Sequence, residues 1–300
     1  MTGISVIIPT YNEAKKIPML LNALTRQSEK NFEVVIVIDG STDETLDILS
    51  AYSNKFNLFK ICEQPNGGRS KAKNHGAINA LGEILIFYDD DMEPYPFSIE
   101  KHAQFHSHYD GLLSGNPVEV IDEHKTDIQN YKAYLTQEWT RKYQDGLNRL
   151  SEQNLFFPAA NCSIRKDLFL SFNGFDERLT DAEDFDLAMR ALQSGTLIYF
   201  DKSNVAIHND PITCRSYIRR TRQYQLAHTK LAEFHPERTK IEKSNGLFNN
   251  WVYLFFSFGL FSFLIDRFNI FKALPRKIRY RLYSAILHSS GVVHPHARLW

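Results

Sequence analysis

The sequence predicts an α/β protein with a mostly parallel, doubly wound sheet, helices on both faces and a C-terminal helical appendage. Two observations carry this prediction. In the first third of the chain, short apolar runs alternate with helical patterns, ending with a fourth strand, and this alternation is typical of parallel strands joined by crossover helices. Three of the strands are followed directly by polar residues, which such folds gather at the sheet edge where ligands bind.

The overall composition narrows the classes of protein that the chain could represent. The 300 residues suffice for one large domain with an appendage, and the 43% hydrophobic content supports a folded core. Lys+Arg and Asp+Glu are 35 each, so no basic excess indicates nucleic-acid binding. Three widely spaced cysteines suggest neither zinc nor disulfides, and a strand almost at the start leaves no room for a signal peptide. We therefore expect a cytoplasmic protein.

The predicted strands of the first half are short apolar runs, at residues 4–8, 32–38, 58–62 and 84–88. The first helix carries one apolar face, made of Ile17, Leu20, Leu21 and Leu24. Ser41 and Glu44 have the spacing of a capping box for the second helix.

Three consecutive carboxylates, Asp89, Asp90 and Asp91, follow the fourth strand directly. Such acids repel one another unless a cation joins them, and Mg²⁺ or Mn²⁺ commonly shares carboxylate oxygens with substrate phosphates. A solvated acidic turn is the simpler alternative for this stretch taken alone. The convergence of polar strand ends favours a nucleotide site.

A glycine turn at Gly67 and Gly68 leads into a third helix that begins with Arg69, Lys71 and Lys73. Backbone N–H groups at a helix start, together with cations, suit phosphate oxygens. A solvated basic helix face is the alternative interpretation.

The second half is less regular. A strand is predicted within residues 111–120, a helix over residues 128–150 and another helix from about Glu183. Glu183 and Asp184 fall in the first turn of that helix, where the helix dipole would keep them ionised, and helix capping is the simpler explanation for the pair. A short strand at 205–207 ends in His208.

From about residue 4 to 208 the chain resembles the family 2 glycosyltransferases, inverting enzymes with the nucleotide-sugar-binding GT-A fold. The order and spacing of six short motifs carry the resemblance: Val6-Ile7-Ile8-Pro9-Thr10-Tyr11-Asn12, Ile38-Asp39-Gly40-Ser41-Thr42-Asp43, Lys73-Asn74-His75-Gly76, Asp89-Asp90-Asp91, Asn173-Gly174-Phe175-Asp176-Glu177 and Glu183-Asp184.

The resemblance implies roles for individual residues. The residues expected to bind the donor are Pro9, Thr10, Tyr11, Asn12, Asp39, Gly68, Lys73, Asp89 and Asp90. Asp39 would accept a hydrogen bond from the uracil N3–H. The residues expected at a Mn²⁺ or Mg²⁺ ion are Asp89, Asp91 and His208. Asp184 would be the general base with Glu183 beside it, and Asn161 would lie on the acceptor side of the cleft.

Two positions depart from the family pattern. Ile38 stands where the family often has a first acid before Gly-Ser, although Asp39 keeps the second. Lys73 stands where the family usually has arginine, so it keeps the charge but loses the bidentate fork of a guanidinium.

The activity implied is transfer of a sugar, with inversion, from a nucleotide donor, expected to be UDP-linked, to a hydroxyl of a glycan or a lipid-linked acceptor. A non-catalytic nucleotide-sugar-binding or scaffold protein on the same fold is the alternative. A nucleotidyltransferase ranks lower, because Pro9-Thr10-Tyr11-Asn12 occupies the place of its usual glycine-rich loop.

The expected domains are a catalytic domain over residues 1–240, with a nucleotide-binding half (1–110) and an acceptor half (111–240), and a helical segment over 241–300. Residues 251–265 are apolar and aromatic but shorter than the roughly 20 residues of a spanning helix. Six cations and one acid lie between 266 and 281. Residues 251–281 therefore favour a peripheral position on the inner face of the cytoplasmic membrane, on anionic lipid. A helix pair packed against protein is the alternative.

Overall fold

A computed structural model describes residues 3–234 and 250–299. The predicted α/β class is confirmed. The strands are β1 (Ile4–Thr10), β2 (Glu33–Asp39), β3 (Leu58–Gln64), β4 (Ile84–Tyr88), β5 (Met92–Pro94), β6 (Leu112–Val118), β7 (Leu147–Arg149), β8 (Asn161–Arg165) and β9 (Ile198–His208). The helices are α1 (Ile17–Thr25), α2 (Thr45–Ser50), α3 (Arg69–Asn79), α4 (Ser98–His108), α5 (Asp127–Thr140), α6 (Lys166–Ser171), α7 (Glu183–Gln193), α8 (Cys214–Phe234), α9 (Asn250–Phe256), α10 (Gly259–Phe268) and α11 (Arg276–His288).

One continuous sheet has the strand order β3-β2-β1-β4-β8-β6-β9-β5, with β7 paired to β9. The first four strands in this order are parallel, which confirms the predicted doubly wound half. β8 then runs antiparallel to both β4 and β6, and β9 is again parallel to β6. The carboxyl ends of β1, β2 and β4 therefore meet at one edge. The antiparallel pairing of β5 with β9 places Met92 opposite His208, next to the acidic triplet.

Buried apolar side chains cover both faces of the sheet. Ile7, Val35 and Phe87 belong to the core on one face, and Val6 and Ile36 belong to the core on the other. Because side chains alternate along a strand and both faces are buried, these strands appear in the sequence as unbroken apolar runs. The apolar face predicted for α1 is also confirmed, since all four of its predicted residues are buried.

The predicted capping box at Ser41 and Glu44 is wrong. α2 begins at Thr45, and the Ser41 hydroxyl instead accepts the Asn12 N–H at 3.0 Å. The Asp43 carboxylate takes over the start of the helix by accepting the Thr45 N–H at 3.2 Å. The sequence spacing was misleading because the loop after β2 bonds to the loop after β1 before the helix starts.

The helix predicted over residues 128–150 is too long, since α5 ends at Thr140 and β7 follows at Leu147. Gly146, with φ +83°, turns the chain between them. β7 then pairs antiparallel with β9, from Leu147 opposite Asp201 to Arg149 opposite Tyr199. The aromatic spacing that suggested a longer helix arises partly from Tyr143, which packs against Phe200 of the sheet.

The described chain divides into two compact units, one made of residues 1–119 and 139–209, the other of 120–138 and 210–300. The second unit thus includes segments that the sequence had assigned to the catalytic domain. The predicted boundary after residue 240 lies outside the described residues. Within residues 3–234 and 250–299, no helix is both long and apolar enough to cross a membrane. The apolar run from Trp251 is split between α9 and α10.

Candidate active site

The loops after β1 and β2 are bonded to each other at the carboxyl edge of the sheet. Asn12 has a left-handed backbone, with φ 54°, and its side-chain oxygen accepts the Thr42 N–H at 2.7 Å. Of the donor residues predicted in this loop, Pro9 and Thr10 are buried in β1, whereas Tyr11 is half exposed. Tyr11 and Asn12 are therefore the predicted donor residues of this loop that are exposed, and Tyr11 offers an aromatic surface to a ligand.

The Asp39 carboxylate, at the end of β2, holds the glycine turn in place. One oxygen accepts the Gln64 amide at 2.7 Å and the Gly67 N–H at 2.8 Å, and the other accepts the Gly68 N–H at 2.8 Å. Gly68, with φ +87°, lies at the start of α3. The structure thus brings Asp39 and Gly68 together as partners. A carboxylate offers about four lone-pair sites, so one site remains for a further donor.

Lys73 of α3 lies in a buried ion cluster with two predicted site acids. Its ammonium nitrogen is 3.0 Å from Asp89 Oδ1 and 3.6 Å from Glu183 Oε1, and its side chain is 1% exposed. Burial by itself would lower the pKa of Lys73, but Asp89 and Glu183 raise it. Burial opposes ionisation of Asp89 as well, yet Lys73 lowers the pKa of that carboxyl to about 2. Lys73 and Asp89 are therefore held in their charged forms.

Asp91 meets His208, as the strand pairing requires. The His208 Nε2 is 3.3 Å from Asp91 Oδ2, and its Nδ1 is 3.2 Å from Glu119 Oε1. Although burial opposes ionisation of Asp91, His208 lowers its pKa. Glu119 was missed in the sequence, where its position just after a strand, like that of the other acids, was the available signal.

Asp90 is the acid of the triplet whose ionisation is disfavoured. Burial first, and then repulsion from Asp91 and Asp89, raises its pKa to about 7. In the described parts of the chain, no three His, Cys, Asp or Glu side chains already converge as a complete metal site. The Asp91 carboxylate nevertheless suits Mn²⁺ or Mg²⁺, and the His208 imidazole suits a transition metal such as Mn²⁺ better than Mg²⁺. A cation here would relieve the repulsion that Asp90 experiences.

Asp184 lies in the first turn of α7, after Ala182, whose φ of 62° is rare for a residue with a side chain. Its carboxylate accepts the Ala159 N–H at 3.0 Å and the Phe185 N–H at 2.7 Å. The sequence predicted a stabilised charge, but burial, and then repulsion from Glu183, raises the pKa to about 6. A carboxylate of this basicity is ionised at neutral pH and can still accept a proton.

Asn161 is fully buried in β8 rather than exposed on the acceptor side of a cleft. Its amide oxygen bonds to His102 Nε2 at 2.9 Å, and its amide nitrogen donates to the Asn204 carbonyl at 3.0 Å. With no exposed side-chain surface, Asn161 belongs to the packing of the sheet. The predicted acceptor contact is corrected accordingly, because the sequence alone did not show that helix α4 covers this position.

The buried His102 and His106 make the free energy of unfolding depend on pH. Both bond to the Ser163 hydroxyl at 2.8 Å, and burial lowers their pKa values to about 4 and about 3. Because the unfolded chain binds these protons at a pKa of about 6.5, the stabilisation is present above that pH and is lost as the pH falls towards 4. We expect a loss on the order of 2 kcal/mol per histidine between pH 6.5 and 5.

Urea unfolding at about pH 7 and about pH 5 measures this loss. Relative to the wild type, His106→Gln should lose the contribution of one histidine, on the order of 2 kcal/mol between pH 6.5 and 5, while His102 still titrates. His108→Gln, on the exposed side of the same helix, is the matched control and should behave like the wild type. An unchanged pH dependence in His106→Gln would contradict the assignment.

Comparison with protein families matches residues 5–171, more than half of the chain, to the family described as "Glycosyl transferase family 2". The chain is similar to an uncharacterized glycosyltransferase of Haemophilus influenzae, with 28% identity over 244 residues, which are 80% of this chain and 74% of that protein. It is also similar to the poly(ribitol-phosphate) beta-N-acetylglucosaminyltransferase TarS of Staphylococcus aureus, with 34% identity over 56% of this chain and 32% of TarS.

Two solved structures share the architecture. Residues 1–349 of S. aureus TarS in complex with UDP-GlcNAc match with a TM-score of 0.57 at 22% identity, over 97% of this chain and 90% of that one. The mannosyltransferase PcManGT from Pyrobaculum calidifontis, in complex with GDP-Man and Mn²⁺, matches with a TM-score of 0.63 at 18% identity. This match covers 98% of this chain and 87% of that one. At these identities the match shows the fold, which is the GT-A fold that the sequence resemblance implied.

Proposed function

Because the chain belongs to glycosyl transferase family 2, and is thus a glycosyltransferase, we propose that it moves a sugar from a UDP-linked donor to a hydroxyl of a glycan or glycolipid, with inversion. One observation carries the proposal. Asp184 and the acidic triplet are joined through a cluster of charged side chains, in which the buried Lys73 lies between the partly buried Asp89 and the buried Glu183, the neighbour of Asp184. A base and a leaving-group site are thereby held in one compact unit.

The base step rests on Asp184. Its pKa of about 6 suits removal of a proton from the acceptor hydroxyl as the new glycosidic bond forms. The Ala159 and Phe185 N–H groups orient the Asp184 carboxylate by hydrogen bonds. The ion pair between Glu183 and Lys73 connects the start of α7 to α3. Direct attack by the hydroxyl breaks the bond to the diphosphate and inverts the anomeric carbon, so no covalent enzyme intermediate is needed.

The donor would lie at the carboxyl edge of β1, β2 and β4. Tyr11 would contact the base, and Asp39 has one acceptor position left for the uracil N3–H. Asp91 and His208 would hold Mn²⁺ or Mg²⁺, with Asp89 near the ribose or an ion-bound water. When bound, the ion supplies a Lewis acid for the charge that develops on the departing diphosphate. Support comes from TarS with UDP-GlcNAc and from the mannosyltransferase with Mn²⁺.

Asp91→Asn tests the metal role. It removes a charged ligand and leaves the shape, so we expect donor hydrolysis in Mn²⁺ to fall by at least about 100-fold. A titration of UDP-GlcNAc hydrolysis against Mn²⁺ concentration measures this. Asp47→Asn, an exposed acid of α2, is the matched control and should retain wild-type activity.

Full hydrolysis by the wild type in excess chelator would rule out the metal. Absence of any turnover by the wild type, with UDP still bound, would favour a non-catalytic nucleotide-sugar-binding protein on this fold.

A further inference from the structure

Helices α9 and α10 expose large apolar side chains, which we call the apolar ridge: Trp251, Leu254, Phe255, Phe258, Leu260 and Phe263. Trp251 is 74% exposed and Phe258 is 59% exposed. Soluble proteins rarely expose large contiguous apolar patches without a partner. A partner for the ridge is therefore expected.

The spacing of these residues is that of a helix face made for burial. Trp251, Leu254 and Phe255 fall at i, i+3 and i+4 on α9, and Leu260 and Phe263 fall at i and i+3 on α10. This spacing normally faces a core. On α10, however, small Gly259 and Ser262 are buried while the larger Leu260 and Phe263 are exposed.

Ring contacts hold the two helices together as one surface. The Phe255 ring is 5.1 Å from the Phe261 ring, and Phe256 is 5.7 Å from the same ring. Ile265 of α10 joins a core with Tyr283 and Ile286 of α11. Buried contacts between α10 and α11 thus hold the ridge in place, and the exposed side chains of the ridge are not needed for this packing.

Cations follow the ridge in the sequence, while the acid of this stretch is bonded to the start of α8. Arg267, Lys272, Arg276, Lys277 and Arg281 are exposed. Arg279 differs from these cations because its Nε forms an ion pair with Asp127 Oδ2 at 3.1 Å. Asp266 is the one acid in residues 251–281, and its carboxylate accepts the N–H of Cys214 and of Arg215 at the start of α8. The exposed side chains that follow the ridge in the sequence therefore carry a net positive charge.

We propose that the apolar ridge and the exposed cations that follow it in the sequence form a docking surface for an anionic lipid bilayer. The aromatic side chains enter the boundary between headgroups and acyl chains, and the cations meet anionic headgroups, with the helices lying in the plane of the interface. The positive charge of these side chains favours an anionic bilayer over a second copy of the chain, because a second copy would bring like charges together. The proposal stands independently of the sugar-transfer activity.

The test is co-sedimentation of the full chain with vesicles of phosphatidylcholine alone or mixed with about 30% phosphatidylglycerol. We expect binding to the anionic vesicles and at least about tenfold weaker binding when salt rises from about 0.05 to 0.5 M, because the charge attraction is screened.

Trp251→Ser combined with Phe255→Ser should weaken binding at least about tenfold, and so should Lys272→Glu combined with Lys277→Glu. Ile78→Ser combined with Leu81→Ser, equally exposed apolar sites of the other unit, is the matched control and should bind normally.

A second measurement avoids disruptive substitutions. Brominated lipid should quench the tryptophan fluorescence of the wild type, and the conservative Trp251→Phe should lose most of that quenching. Absence of binding to anionic vesicles at low salt would overturn the proposal. Unchanged vesicle binding by the variant Trp251→Ser combined with Phe255→Ser would also overturn it. So would a wild-type protein that binds no vesicles and forms a dimer, if the same variant is a monomer.

Discussion

Replacing Asp184 by asparagine is expected to reduce turnover by about 10²- to 10⁴-fold, the usual contribution of a general base. Asparagine keeps the shape and can still accept the Ala159 N–H through its side-chain oxygen, but it cannot take a proton. Donor binding should remain nearly unchanged, because the lost interaction forms only in the transition state. Measurement of kcat, KM and UDP affinity for both proteins separates these quantities.

The dependence of kcat/KM on pH provides a second test of the role of Asp184. Since the pKa of Asp184 is about 6 and the base must be ionised, kcat/KM of the wild type should fall about tenfold per pH unit below that value. Asp167→Asn, an exposed acid of α6, is the matched control. If Asp184→Asn instead lost UDP binding and kept turnover at saturation, Asp184 would belong to the donor site.

Lys73→Met should have the largest effect on stability, about 3–5 kcal/mol in the free energy of unfolding. The substitution removes the cation that the buried Glu183 shares with the partly buried Asp89. Lys71→Met, on the exposed face of the same helix, supplies the control and should change the free energy little. Urea unfolding near neutral pH measures both variants.

The loss of stability in Lys73→Met should shrink at low pH, because protonation of Asp89 removes a charge that the missing lysine had balanced. Equal stability of Lys73→Met and Lys71→Met at neutral pH would show that the buried cluster contributes little to the fold.

The parallel half of the sheet could be predicted from the sequence because its signals are local. The runs at β1, β2 and β4 are apolar throughout, and each ends abruptly in polar residues. Chain connectivity alone then sends those ends to one edge. The acidic triplet could therefore be predicted from the sequence as part of a ligand site, whereas the role of Glu183-Asp184 is implied only by the family resemblance.

Other parts of the site depend on pairings between distant segments. His208 reaches Asp91 because β5 pairs with β9, and Glu119 reaches His208 from the end of β6. The sequence does not encode those neighbours locally. Asn161 was misassigned for the same reason, since helix α4 covers it with His102.

Charge interactions were the least predictable feature. The helix start at Glu183 suggested ionised acids, but burial decides the pKa of Asp184. Lys73 stood out in the sequence as a basic residue suited to phosphate, yet its place beside two buried acids depends on how α3, β4 and α7 pack.

Calorimetric titration of the wild type with UDP, in Mn²⁺ and in excess chelator, tests the central claim most directly. If the acidic triplet and His208 form a metal-assisted donor site, the affinity for UDP should be at least about tenfold higher with Mn²⁺. Equal affinity in the two conditions, or no binding of UDP in either, would contradict the proposed donor site.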